Sequence, residues 1–472
     1  MTIVVGLVAT KALATMLGPD GIGLIGLLQS LIGMVSLVAS MGIGAALVRE
    51  GAVAIANENR ARLGALRSAA WLLVWVFGGL GGLTLILFRD PLSRLVIGTP
   101  SQAYTVALMG AALLFGLASS VQTSLLNAHH RVAALAKSAS IGSILTAIVM
   151  ICFVWSLGAR GVGYGIVAGA VVAWAVTRYF YAHELRWVSA TAALDVRRAA
   201  SSLLHFGVPY TGSMMVGTGV QLAIPVLVLH QLGQEGVGFY RAATTISVTY
   251  LGFLLNAMSQ DYFPRVSAVN ADPVALNNLA NQQLRLVLLL TTPMVLGVLA
   301  LAPFLVPIVY TPEFRPTVQI LEWQLVGDIL KLSSWTLAFI LLAHSGSGRY
   351  FISELSAGLV TLATSWLGMR WFGLLGLGLT APVTYAVYYL VVSALVRRTV
   401  RPTWSLENRL MLVGAVAASL ATPLLPIVGL GQVRTPVALT LAAIAAIGSA
   451  LVLWREIGRP APTWTRRLDS HT

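Results

Sequence analysis

The sequence predicts an all-α polytopic membrane protein. About 14 transmembrane helices are expected, as two parallel six-helix halves related by a pseudo-twofold axis, with two helices appended at the C-terminus. Three observations carry this. Of 472 residues, 57% are hydrophobic and only 10% charged, against roughly 25% charged in an ordinary soluble domain. Apolar runs of about 20 residues, the length needed to cross a bilayer, recur from end to end. Finally, a glycine-rich octapeptide occurs four times. Leu17-Gly18-Pro19-Asp20-Gly21-Ile22-Gly23-Leu24 returns as Leu232-Gly233-Gln234-Glu235-Gly236-Val237-Gly238-Phe239, and Leu157-Gly158-Ala159-Arg160-Gly161-Val162-Gly163-Tyr164 returns as Phe372-Gly373-Leu374-Leu375-Gly376-Leu377-Gly378-Leu379. Both pairs are offset by 215 residues, so the chain is read as a duplication. Transporter folds are commonly built from such repeats, with the substrate held near mid-membrane. A β-barrel would show short alternating segments, which are missing.

In chain order, helices are predicted at 2–17, 22–47, 68–88, 103–126, 138–157 and 162–182, making the first half, residues 1–182. The first is short: 16 residues precede Leu17, about 24 Å of helix against a hydrocarbon core of ~30 Å. It is expected to be clipped, by a misplaced start or by real shortening. No cleavable signal peptide is expected, since no basic region precedes the first run. The segment 183–204 is amphipathic, with Arg186, Arg197 and Arg198, and is expected to lie along the cytoplasmic lipid surface. The second half, 205–396, carries helices at 205–230, 237–260, 283–310, 317–342, 350–369 and 373–396. A basic linker, 397–408, leads to an appended pair at 409–428 and 435–454, within 409–454, and a cytoplasmic tail at 455–472.

Charge position sets the orientation. The net charge is +14, but the basic residues sit in short loops between apolar runs, so nucleic acid is not an expected partner. Loops on the N-terminal side, with the tail, hold 19 basic residues, from Arg49 and Arg60 to Arg397, Arg398, Arg401, Arg409, Arg455, Arg459, Arg466 and Arg467; the opposite loops hold 6, Arg89, Arg94, Arg160, Arg315, Arg370 and Arg434. The positive-inside rule then places both termini in the cytoplasm. The glycine motifs fall on the outer face, where glycine permits tight turns and close helix approach.

No cofactor is expected. Gly161-Gly163-Gly165 lacks the preceding strand of a dinucleotide loop, and there is no phosphate-binding loop ending in Gly-Lys-Ser/Thr. His129 and His130 have no further ligands nearby, so no metal site is expected. The single Cys152 lies in an apolar run and reads as a small core residue.

Charges inside spanning helices are costly and mark functional candidates. Lys11 lies about 9 Å from the outer end of the first helix; it either snorkels outward or presents its ammonium to an anionic substrate. Arg241 stands just past the repeated motif, where the first copy has Gly26. It is either a headgroup contact or a guanidinium for phosphate, which it can grip in bidentate fashion. Asp328 and Lys331, at i and i+3, share a helix face; they form a neutralising pair or, with Asp328 protonatable, a coupling switch. Glu322 reads as hydrated near the outer end. Arg178, Asp261, Arg285 and Glu354, near cytoplasmic helix ends, read as structural or as gates, Arg178 and Glu354 above all. Helices 1 to 6 contain no carboxylate, so the interior favours an anion over an organic cation.

The six-plus-six plan resembles the multidrug/oligosaccharidyl-lipid/polysaccharide exporter superfamily. Within it the chain is most similar to the O-antigen-type lipid-linked oligosaccharide flippases, the enterobacterial common antigen flippases among them. The resemblance rests on Lys11-Ala12-Leu13-Ala14 leading into the first glycine motif, and on Gly327-Asp328-Ile329-Leu330-Lys331 with Ser334-Trp335, Leu341-Leu342-Ala343 and Glu354. It implies a transporter and not an enzyme: a two-bundle bacterial inner-membrane protein that turns an undecaprenyl-pyrophosphate-linked glycan to the outer leaflet by alternating access. Its implied partners are that glycolipid, membrane lipids, and a polysaccharide polymerase and chain-length regulator. Helices 1, 2, 7 and 8 would line a cationic cavity containing Lys11 and Arg241, with Asp328 and Lys331 close by. Gln29 and Ser30, and Tyr210, Thr211, Ser213 and Gln221, could meet sugar hydroxyls or bond to neighbouring helices. Competing readings are a lipid II flippase, a cationic-drug exporter, a non-transporting scaffold of polysaccharide assembly, and, least favoured, a polymerase or ligase.

Overall fold

Four positions with a backbone conformation that favours glycine break the long helices of this chain. In a computed structural model of the protein, residues 2–184, 193–269, 272–345, 347–397, 402–426 and 428–457 are described. Arg186, Arg398, Arg401, Arg459, Arg466 and Arg467, with parts of both predicted linkers and nearly all of the tail, lie outside the described residues.

The described residues form helices and turns, with no strand among them. The α-helices are α1 (Thr2–Ser40), α2 (Ile43–Ala56), α3 (Arg60–Leu87), α4 (Arg89–Leu92), α5 (Ala103–Ala128), α6 (Val132–Leu157) and α7 (Gly161–Glu184). They continue as α8 (Ala193–Ala257), α9 (Phe263–Ala268), α10 (Pro273–Val309), α11 (Pro316–Ser345), α12 (Ser347–Arg397), α13 (Leu406–Leu424) and α14 (Arg434–Ile457). Nine stretches among the described residues are long and apolar enough to cross a membrane. Three of them, Val132–Glu184, Asp195–Thr249 and Gly348–Arg397, reach 50 residues or more, about 75 Å of helix and over twice a bilayer core.

Each of those three contains a motif glycine in the left-handed region: Gly158 at φ 60°, Gly233 at 75° and Gly373 at 56°; in α1, Gly18 has φ 63°. All four are the second residue of their repeat. With ψ between −130° and −177°, a Cβ in that conformation costs on the order of 1–3 kcal/mol, so the four predicted turns are one backbone device used four times. The first is tighter than a loop over 18–21, because helix resumes at Pro19. Proline suits a first helical position, where its missing N–H would be unpaired anyway. The predicted helix at 22–47 is also interrupted. Met41 and Gly42 have positive φ, and a Cβ on Gly42 would strike the Gly207 carbonyl.

The described chain falls into two compact units, Met1–Arg241 with Val309–Glu313, and Ala242–Ile308 with Phe314–Thr472. The first has a core of small and aliphatic residues, including Leu27, Leu66, Leu85, Met109 and Leu113. There Gly82 of α3 and Gly110 of α5 abut backbone to backbone, the small-residue contact by which membrane helices approach closely. The second centres on Leu276, Leu332, Leu341, Tyr388 and Val392. Tyr262, fully buried just past the end of α8, donates its hydroxyl to the Thr336 carbonyl at 3.1 Å. Burial holds that phenol above the ordinary tyrosine range, so it remains a neutral donor.

Candidate functional site

In the first unit the repeated motifs of α1 and α8 lie against each other reciprocally. A Cβ on Gly23 would strike the Gln234 carbonyl, and one on Gly238 would strike the Pro19 carbonyl. These are equivalent positions of the two copies, as a pseudo-twofold relation requires. Gln234 adds a side-chain hydrogen bond to the Asp20 carbonyl at 2.9 Å.

That register brings Arg241 across Gly26, its own counterpart in the duplication. The Arg241 stem packs over the glycine so closely that a Cβ there would lie 3.3 Å from its Cγ. Its guanidinium donates to the Gln29 side-chain oxygen at 2.7 Å. Arg241 makes no ion pair among the described residues and is half-buried. Four further N–H donors remain for other acceptors. Gln29, predicted as a sugar contact, is exposed and orients this arginine; Ser30 beside it is half-buried.

Lys11, half-buried in α1, donates its ammonium to the backbone carbonyl of Tyr310. Tyr310 is itself buried, and the Glu313 carboxylate lies next to Gly18. The segment 309–313 thus adds a neutral acceptor and a carboxylate to the unit that holds the two predicted cations. Sequence reasoning missed both, since a backbone acceptor has no residue signature and Glu313 lies in a distant turn. Tyr210 is exposed and stacks on Phe206, ring centroids 6.2 Å apart. Gln221 is exposed and lies about 16 Å further along the same helix face. Thr211 is buried with its hydroxyl unbonded, and Ser213 bonds to the Tyr210 carbonyl at 2.7 Å. Arg178 sits over the buried Tyr181 ring at 5.8 Å, with Arg67 also on it at 5.9 Å. That is a packing clamp.

The remaining predicted charges belong to the second unit. Asp328 is 3% exposed and accepts from the Ser247 hydroxyl at 2.7 Å. The Lys331 ammonium lies 5.3 Å from the Tyr385 ring centroid, a cation–π contact. Gly327, just before them, faces Ala381 and Pro382 of α12 at under 3 Å for an added Cβ, which fixes this stretch tightly. Glu354 accepts from the Tyr388 hydroxyl at 2.7 Å. Glu322 differs from its sequence reading. It is 4% exposed and ion-paired with Arg434 of α14, because an appended helix that no repeat predicts supplies the cation. No group of three metal-ligating side chains occurs among the described residues.

The architecture is that of the multi-pass transporters. The lipid II flippase MurJ, in an inward closed conformation, superposes with a TM-score of 0.71 at 14% identity, over 97% of this chain and 98% of that one. An inward-facing multidrug resistance MATE family transporter of the MOP superfamily gives 0.70 at 14% identity, covering 88% and 95%. By sequence the chain belongs to the polysaccharide biosynthesis protein family, whose model it matches over residues 12–319. The lipid III flippase of Escherichia coli (strain K12) is 24% identical over 393 residues, 81% of this chain and 92% of the relative. The lipid III flippase of Shigella flexneri matches equally.

Proposed function

We propose that this protein is a flippase for an undecaprenyl-pyrophosphate-linked oligosaccharide, a surface-polysaccharide repeat unit of O-antigen or enterobacterial-common-antigen type. The observation that carries the reading is Arg241, a half-buried guanidinium held by a neutral amide over the glycine of its own repeat copy. A guanidinium whose fixed partner is neutral keeps its charge available for a phosphate, and its planar fork matches two phosphate oxygens at once. Lys11, also held through a carbonyl, supplies a second cation in the same unit. Pyrophosphate cannot cross hydrocarbon unaided, so these cations and the polar Gln29, Ser30, Tyr210 and Gln221 would receive the head group while the prenyl tail stays in lipid. Alternating access then exposes the head group first to one leaflet and then to the other. Binding must remain moderate for release to follow. Asp328 would couple the cycle to an ion gradient. The lipid III flippase relatives support a lipid-linked glycan over an organic cation.

Complementation tests this reading. In a strain lacking its lipid-linked oligosaccharide flippase, the wild-type protein should restore surface glycan and clear the accumulated lipid-linked intermediate. Arg241→Ala, at equal membrane abundance, should not. Restoration by Arg241→Ala equal to wild type would sink the proposal.

A further inference from the structure

A basic recess in the second unit has no part in the reading above. It measures about 770 Å³ and is lined by the end of α12, the start of α13 and the strap 402–405 that precedes α13. Arg397 and Arg409 line it together with Tyr389, Thr403, Trp404 and the apolar Leu390. Both arginines are exposed, and neither makes an ion pair among the described residues. Glu407, two residues before Arg409, is engaged by Arg285 at 3.0 Å.

The wall carrying these groups is pre-organised. Asn277 of α10 accepts the Thr403 N–H at 2.8 Å. Asn281 donates to the Thr403 carbonyl at 2.9 Å and accepts the Ser405 N–H at 2.8 Å. The Trp404 indole donates to the Tyr389 hydroxyl at 2.7 Å. A strap tied at three consecutive residues loses little freedom when a ligand arrives, which is what makes a site of a crevice.

What lies beside the recess selects the ligand. On α13, Leu406, Leu410 and Val413 form an exposed apolar stripe flanking Arg409, and on α12 Leu390 is exposed below Arg397. A soluble oxyanion would use the guanidiniums and leave this stripe idle. An amphiphile uses both, with phosphate on the arginines, the interfacial aromatics at headgroup level and an acyl chain along the leucines.

We propose that this recess binds an anionic phospholipid, with Arg397 and Arg409 holding its phosphate and Trp404 beside its first acyl carbons. It shares no residue with those assigned to the glycolipid head group, and its occupant is a resident membrane lipid and not cargo. The test uses delipidated full-length protein titrated with phosphatidylglycerol, phosphatidylcholine, glycerophosphoglycerol and inorganic phosphate, with bound lipid read by native mass spectrometry. Phosphatidylglycerol should bind in preference to phosphatidylcholine, and Arg397→Gln with Arg409→Gln should weaken it about 30-fold, two surface arginines' worth. Neither soluble phosphate should displace it. Dibrominated phosphatidylglycerol should quench tryptophan fluorescence in wild type and lose part of that quenching in Trp404→Phe. Equal binding of the two phospholipids, an unchanged double variant, or an unchanged quench in Trp404→Phe would overturn the proposal. Displacement by inorganic phosphate would overturn the lipid assignment in favour of a free-oxyanion site.

Discussion

Arg241 and Gly26 are equivalent positions of the two motif copies, and they pack against each other. A side chain on both would collide, since even a Cβ on Gly26 comes within 3.3 Å of the arginine stem. Gly26→Leu should therefore push the guanidinium off Gln29 and mimic Arg241→Ala in transport, while leaving the protein folded; a transport assay against thermal unfolding in detergent separates the two effects. Gln29→Leu should give a milder loss, because the arginine keeps its charge and loses only its orientation. Asp328 makes a different prediction. Asn preserves an acceptor for the Ser247 hydroxyl 2.7 Å away, so Asp328→Asn should fold normally and lose any dependence of transport on an ion gradient. A gradient response equal to wild type would remove Asp328 from coupling. At this scale the sequence was legible where asymmetry between repeats exposed a charge, as at Arg241. It was silent where the partner is a backbone carbonyl, as for Lys11 and Tyr310.

Four helix breaks fall at motif glycines with positive φ. Gly233 has φ 75° and ψ −177° with open space around it, so Gly233→Ala carries only backbone strain and should cost about 1–3 kcal/mol. Gly217, inside α8 with nothing within 4 Å, is the control: Gly217→Ala should stabilise by up to about 1 kcal/mol. Midpoints of thermal unfolding should move in opposite directions. Glu322 ties α11 to Arg434 of α14 in a buried pair. Removing one partner strands the other's charge, so Glu322→Ala should cost about 3–5 kcal/mol, whereas Glu322→Leu with Arg434→Met should be near neutral. Apolar runs and the repeat made most helices legible. The Glu322–Arg434 pair was not, because its members are far apart in sequence and α14 lies outside the duplication. The break at Gly42 was not legible either: the Gly207 carbonyl that excludes a side chain there is distant along the chain.

At the scale of the whole molecule, composition made the membrane-spanning helical class legible, and two motifs at one offset point to a duplication. The structural likeness to MurJ and MATE transporters agrees with the first. Function required the charges. Lys11 and Arg241 have uncharged counterparts in the other copy, Val226 and Gly26, so duplication supplied the frame and divergence supplied the cations. Losing a guanidinium that hydrogen-bonds phosphate should cost about 1.5–3 kcal/mol, a factor of roughly 10–150. The most direct measurement is flipping of undecaprenyl-pyrophosphate-linked sugar in proteoliposomes, with wild type beside Arg241→Ala and Lys11→Ala at matched reconstitution. Wild type should translocate the lipid, and Arg241→Ala should slow it by about that factor at limiting substrate. Translocation by Arg241→Ala at the wild-type rate, or none by wild type under any ion gradient, would contradict the account.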